Sequence, residues 1–275
     1  MLQGPEIYEN LITLAFMNGP FHFPGITLLI THYNRSGSLE RLLENFRKLD
    51  CHFDDIVVSD DGSKPEHVER IRALHGTYTF RLITTPKNRG LGNNINKGQD
   101  AITTPYTVYI QEDFVPMETF PPKLMEALQF MNERPGLDMV RFYAYFKYPY
   151  LTPVKNGFSE MRFNIWYPGY KKFYFYSDHP HLRRSTFLQK FGRYPEGVNV
   201  EVSEYGMMMS VLKNKAKALF YDEHKSLLDQ VNSSTEPSTF KRNYMRESKN
   251  PFIAIARHFF RHLKFNYRYL TTKAK

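Results

Sequence analysis

A chain of 275 residues, 41% apolar, can bury one large α/β core or one domain with an elaborated second lobe. Its formal charge of +9 would point to nucleic acid, but residues 240–275 carry ten Lys and Arg against one acid, Glu247, so residues 1–239 are neutral and a nucleic-acid face is excluded. The single cysteine, Cys51, excludes an internal disulfide and fits a reducing compartment.

In chain order, residues 1–24 read as an N-terminal extension, and "ITLLITHY" (26–33) as the first strand. After "NRSGS", Leu39, Leu42, Leu43, Phe46 and Leu49 recur at the spacing of one helical face. "DIVVSD" (55–60) is the second strand, and Ser63 with Glu66 is spaced as a capping box for the next helix. "TFRLITTP" (79–86), "YTVYIQED" (106–113) and "LDMVRFYAY" (137–145) supply three more strands. This alternation over residues 25–145 predicts an α/β fold with a mostly parallel sheet, in which ligands bind beyond the carboxyl ends of the strands.

Between Phe142 and Tyr176 the composition shifts, with 15 aromatic residues in 35 positions. They make either the core of an irregular lobe or a platform for sugar rings. In the tail, Phe252, Ile255, Ala256, Phe259, Phe260, Leu263, Tyr267 and Leu270 fall on one helical face, with Arg257, Arg261, Lys264 and Arg268 opposite. Such a helix either docks its apolar face on the domain with the bases solvated, or lays that face into an anionic bilayer surface. The apolar runs "LITLAF" (11–16) and "ITLLI" (26–30) are too short to span a membrane, and no charged leader is visible, so the expected location is cytoplasmic.

Four strand ends bring polar groups to one edge: "THYNR" (31–35), "SDDGS" (59–63), "PKNRGLGNN" (86–94) and "QEDF" (111–114). An Asp at a strand end can accept from a base N–H, Arg89 and free backbone amides suit a diphosphate, and Glu112 and Asp113 offer hard oxygens suited to Mg²⁺ or Mn²⁺. The set reads as a nucleotide-diphosphate site. "GLG" (90–92) is not a dinucleotide fingerprint, because Ile95 stands where the last glycine would fall.

The segments "ITLLITHYNRSGSLERLLENF", "DDIVVSDDGS", "NRGLGNNINKG" and "YIQEDFVP", in that order, resemble inverting glycosyltransferases of family 2, with the GT-A, Rossmann-like fold. "HLRRSTFLQKFGRYPE" (181–196) and "VSEYGMMMSVL" (202–212) resemble that family's acceptor-side stretch, so the resemblance covers roughly residues 25–235. It implies a nucleotide-sugar half (25–145), an acceptor-side half (146–239) and a basic amphipathic tail (240–275). Carried over, Thr31, Tyr33, Arg35, Asp60 and Asp61 belong to the donor-binding set, with Asp61 accepting from a uracil-type N3–H and Asp60 also shaping the turn beside it. Arg89 faces the diphosphate or base, Glu112 the ribose and Asp113 the metal, while Glu204 is the catalytic base. His224 is the candidate third metal position, with Gln230 as its alternative.

The resemblance implies transfer from a UDP-sugar to a glycan or lipid-linked acceptor, with Mg²⁺ or Mn²⁺ as cofactor. Lipid-linked acceptors at the cytoplasmic leaflet give the tail a motive for peripheral membrane contact. The family's Asp-x-Asp reads Gln111-Glu112-Asp113 here, leaving one aspartate for the metal. That departure keeps open a non-catalytic module that binds the sugar nucleotide. A nucleotidyltransferase is the remoter alternative, since "THYNRSGS" lacks a Gly-rich basic loop.

Overall fold

The computed structural model describes residues 20–231 and 251–274. The first 19 residues of the expected extension, including "LITLAF", and residues 240–250 of the tail lie outside the described residues.

Strand β1 (Phe21–His32) begins five residues before the expected start. Phe21, His22 and Phe23 pair with Cys51, His52 and Phe53 of β2 (Cys51–Asp60), and the register then shifts between Phe23 and Thr27. Pro24 and Gly25, which read as punctuation, sit in that irregularity, the one place where a strand accepts them. Helix α1 (Ser36–Lys48) buries Leu39, Leu42, Leu43 and Phe46, as its periodicity predicts.

Helix α2 (Pro65–Leu74) opens on a proline with Lys64 at the cap position and no side-chain cap, so the expected capping box does not form. Ser63 is drawn away from it: its hydroxyl donates to Asp60 Oδ1 at 2.5 Å and accepts from the Asn34 N–H at 2.7 Å. Strand β3 (Arg81–Ile83) is a short edge, and α3 (Leu91–Asp100) starts inside the "GLGNN" run. Strand β4 (Tyr106–Gln111) stops at Gln111, and after a two-residue turn β5 (Phe114–Pro116) leaves the main sheet to pair with β11 (Leu228–Gln230).

Helix α4 (Phe120–Glu133) leads to β6 (Met139–Arg141), three residues of the longer strand expected over 137–145. There the chain leaves the sheet at Phe142 and enters the aromatic segment, which includes the hairpin β7 (Leu151–Lys155) and β8 (Phe158–Met161) and a 3₁₀ turn at Tyr170–Phe173. Strand β9 (His181–Arg184), α5 (Phe187–Phe191), α6 (Val200–Lys213), β10 (Ala218–Tyr221) and α7 (Pro251–Thr271) complete the described elements.

The nine-stranded sheet has the order β3-β2-β1-β4-β9-β6-β10-β8-β7, with β9 and β8 running against the others. It is a mixed, largely parallel α/β sheet, continuous through both expected halves. Alternate residues of its central strands feed two apolar clusters, Leu28, Ile30, Val58 and Ile110 on one face and Leu29, Val57 and Tyr109 on the other.

Seven of the 15 aromatic residues in this segment are buried, among them Phe142, Phe158, Phe173, Phe175 and Tyr176. Trp166, by contrast, is 88% exposed. Helix α7 packs on this lobe through Phe265, against Phe173 at 5.6 Å and Tyr205 at 5.1 Å, and through Tyr269, against Phe163 at 5.2 Å. The expected docking by the apolar stripe is therefore largely reversed: Phe259, Leu263, Tyr267 and Leu270 point outward, 62–68% exposed, while Phe260 reaches the cleft described below. Among the described residues no helix is long and apolar enough to cross a membrane.

Candidate active site

The ends of β1, β2 and β4 open into one cleft of about 1380 Å³, which continues to α6 and α7. Glycines set two of its walls. Gly62, at φ +68°, lets the turn after β2 pass so close to the backbone of Lys87 that any Cβ would collide with it. A Cβ at Gly92 would likewise strike the Pro195 carbonyl and the Ser203 hydroxyl, so this glycine lets α3 and α6 meet and brings the acceptor-side helix to the donor side.

At the donor end, Thr31, Tyr33, Arg35, Asp61, Glu112 and Asp113 all line the cleft. Thr31 shares a hydrogen bond with the Tyr109 hydroxyl at 3.2 Å. Asp61 accepts the backbone N–H groups of Arg89 and Gly90, both at 2.9 Å, and so fixes the loop that opens α3. Burial pushes its carboxyl up and those two bonds only partly offset this.

Asp60 is turned inward and does not line the cleft. It bonds to His32 Nδ1 at 2.8 Å and accepts from the Thr84 hydroxyl at 2.7 Å and the Ser63 N–H at 3.1 Å. Burial alone would raise this carboxyl, but those bonds outweigh it and hold it well below the usual range. Its grouping with the donor-binding residues is corrected to turn shaping.

Arg35, buried, bridges both acids of the Gln-Glu-Asp turn, 3.4 Å from Glu112 Oε1 and 3.3 Å from Asp113 Oδ2. Burial pushes Glu112 up to about 7 against the opposing pull of His32 and Arg35. The Gln230 side-chain amide donates to Asp113 Oδ2 at 3.0 Å, because β11 lies beside β5. Asp113 Oδ1 is buried without a hydrogen-bond partner among the described residues.

At the acceptor end, α6 is capped by Asn199, whose side chain accepts the Val202 N–H at 2.9 Å, and one turn on it presents Glu204 to the cleft. Glu204 Oε1 accepts the backbone N–H of Asp178 at 3.2 Å. Both carboxyls are pushed up, first by burial; the charge of Glu204 adds to the rise at Asp178. Neither oxygen of Asp178 has a hydrogen-bond partner among the described residues. Arg141 reaches in from β6, anchored on the carbonyls of Tyr174 at 2.7 Å and Phe175 at 3.2 Å, and burial lowers it to about 10. His179, lowered to about 3 by burial and then by Arg141, is a neutral ring at neutral pH. Together these groups offer a buried base beside a fixed cation.

The Glycosyl transferase family 2 profile matches residues 27–192, more than half of the chain. The chain belongs to glycosyl transferase family 2. Poly-beta-1,6-N-acetyl-D-glucosamine synthase of Staphylococcus aureus is 28% identical to this family 2 chain over 102 residues, which are 37% of the chain and 25% of the relative. The synthase of Staphylococcus epidermidis is 26% identical over 91 residues, 33% of the chain and 22% of the relative. The chain therefore matches about a quarter of the length of these curated relatives. Among solved structures, S. aureus TarS 1-349 in complex with UDP-GlcNAc superposes at a TM-score of 0.58 with 14% identity, over 90% of the chain and 73% of TarS 1-349. The mannosyltransferase PcManGT from Pyrobaculum calidifontis, in complex with GDP-Man and Mn²⁺, gives 0.54 with 16% identity, over 98% and 73%. These likenesses establish the GT-A fold.

Two expected positions of this family 2 site are corrected. The Arg89 side chain does not line the cleft; it is 56% exposed and lies 3.8 Å from Glu196, a carboxylate held by Asn93 and Asn96, while its backbone serves Asp61. His224 does not line the cleft either: it packs on Phe220 at 5.4 Å, and Gln230 is the residue at Asp113. Among the described residues no group of three His, Cys, Asp or Glu is arranged to hold a metal ion. The free Oδ1 of Asp113, with a diphosphate beside it, still fits an ion shared between protein and substrate, which needs only one or two carboxylates. Sequence reasoning missed Arg141, Asp178 and His179, cleft residues on β6 and in the loop before β9, where no spacing marks a site.

Proposed function

We propose that this chain transfers a sugar from a nucleotide-diphosphate sugar of the UDP type to a hydroxyl of a glycan or lipid-linked acceptor, with inversion at the anomeric carbon. One observation carries the reading: a single cleft holds the strand-end acids Asp61, Glu112 and Asp113 at one end and the carboxyl pair Glu204 and Asp178 at the other. The UDP-GlcNAc complex of TarS and the N-acetylglucosamine polymer synthases among the relatives favour UDP and an N-acetylhexosamine as the first donor to try.

In this reading Tyr33 and Asp61 bind the base and Glu112 the ribose. Asp113, with the amide of Gln230 beside it, would hold a divalent ion, a reading that the Mn²⁺ complex of the mannosyltransferase PcManGT supports. Such an ion, when bound, offsets charge on the departing diphosphate. Glu204 takes the acceptor proton as the hydroxyl attacks the anomeric carbon from the face opposite the diphosphate, and the C–O bond to the diphosphate breaks in the same displacement. Asp178, the carboxyl pushed up further, keeps the proton of the pair and leaves Glu204 the one that ionises, with Arg141 as its counter-charge. The outward apolar face of α7 supports peripheral contact with a lipid surface, the place of a lipid-linked acceptor.

The direct test is release of nucleoside diphosphate from a panel of sugar nucleotides. Turnover with Mn²⁺ supports the transferase; binding without turnover supports a module in which Arg35 keeps Asp113 neutralised.

A further inference from the structure

The basic side of α7 has no part in the donor reading. It turns Arg257, Arg261, Lys264 and Arg268 into the same cleft as Glu204. Lys264 Nζ lies 6.0 Å from the ring of Tyr205, the residue after Glu204, and the Arg261 guanidinium lies 5.4 Å over the ring of Tyr170. Among the described residues Arg261, Lys264 and Arg268 face no carboxylate at ion-pair distance. The Tyr205 hydroxyl is buried with no hydrogen-bond partner among the described residues. Three cations on adjacent turns at one wall of the cleft make a positive patch that favours an anion between them. Guanidinium forks suit phosphate oxygens in particular.

Their position decides which anion. The donor diphosphate belongs at the ends of β1, β2 and β4, whereas these bases stand on the α6 side, against Tyr205 and Tyr170. We propose that the acceptor carries a phosphate or diphosphate, which Arg261, Lys264 and Arg268 bind with the Tyr205 hydroxyl so that its sugar hydroxyl faces Glu204. The proposal rests on the glycosyl-transfer reading. Phosphate can come from a water-soluble phosphoglycan or from a lipid carrier, and the outward apolar face of α7 is compatible with the second.

The test uses the full chain saturated with UDP and compares N-acetylglucosamine 1-phosphate with N-acetylglucosamine by calorimetry. The phosphate probe should bind at least about tenfold more tightly, with a preference that shrinks as salt rises to about 0.3 M. Arg261→Gln/Lys264→Gln/Arg268→Gln should erase the preference with UDP affinity retained. The double variant Lys264→Gln/Arg268→Gln, confined to exposed side chains, should lose at least about threefold. Equal binding of the two probes, or a preference that survives the triple variant, overturns the proposal; so does loss of UDP affinity in that variant, which would assign the bases to the donor. If the unaltered protein binds no UDP, the transfer reading fails first, a distinct result. A prenyl-linked phosphosugar in micelles that binds more tightly than the soluble probe assigns the phosphate to a lipid carrier, and equal binding assigns it to a soluble chain, each with the anion site upheld.

Discussion

The backbone N–H of Asp178 donates to Glu204 Oε1 at 3.2 Å, which places a buried and a half-buried carboxyl side by side in the cleft. Only one charge is comfortable there, and Arg141 supplies a single compensating cation. The pair therefore behaves as a base whose proton is released above the ordinary carboxyl range.

The acid limb of the pH–rate profile should follow. Because burial raises both carboxyls, kcat/KM should keep rising well above the ordinary carboxyl pKa of about 4. Stability runs the opposite way: over this window the folded state holds a proton that the unfolded state has lost, so stability falls as pH rises. Asp178→Asn should flatten that fall, measured as melting temperature against pH, and should leave the acid limb in place, because burial and not a charge on Asp178 raises Glu204.

Asp61 and Glu204 should fail differently. Asp61→Ala frees the backbone N–H groups of Arg89 and Gly90, at about 1.5–3 kcal/mol for a hydrogen bond to a charged group, and should weaken UDP binding by tenfold or more. Glu204→Gln should bind UDP normally and lose transfer. Calorimetry on both variants, beside turnover, separates the two roles.

At the donor turn, Asp113→Asn should cost orders of magnitude in turnover with the fold intact, and Gln111→Asp should be tolerated and lower the Mn²⁺ concentration for half-maximal rate. His224→Ala should leave that concentration unchanged, because His224 lies outside the cleft on Phe220. Gln230→Ala should raise it, because its amide touches Asp113.

Arg89→Ala should change UDP affinity by no more than about threefold, since its exposed pair with Glu196 is worth about 0–1 kcal/mol. A loss as large as that of Asp61→Ala would return Arg89 to the diphosphate.

On α7, Phe259→Ser/Leu263→Ser/Leu270→Ser should abolish sedimentation with anionic vesicles without lowering the melting temperature, because all three side chains face outward. A lower melting temperature would mean that the stripe supports the fold.

The donor half of this site was legible because it is local. Each strand end is a short run whose polar residues follow apolar ones, and β1, β2 and β4 place Thr31, Asp61 and Asp113 at one edge by parallel pairing alone. The mostly parallel sheet, and Asp60 as the turn residue, follow from the same pattern. The acceptor half was not legible because it is assembled across distance. Arg141 and Asp178 meet Glu204 from segments 63 and 26 positions away in the chain, through an aromatic lobe with no period. Arg89 misled because an exposed Arg in a loop carries no sign of which way it points, and here Glu196 draws it outward. On α7 the amphipathic pattern gave the two faces correctly but not their direction, since Phe265 and Tyr269, on the polar side, hold the helix down.

Release of UDP from UDP-GlcNAc by the full chain with Mn²⁺, compared between the unaltered protein and Glu204→Gln at matched UDP affinity, tests the central claim most directly. The account predicts slow release by hydrolysis in the unaltered protein, reduced at least about a hundredfold in the variant. Binding of UDP with no release from any sugar nucleotide of the panel, or equal release by the two proteins, would contradict it.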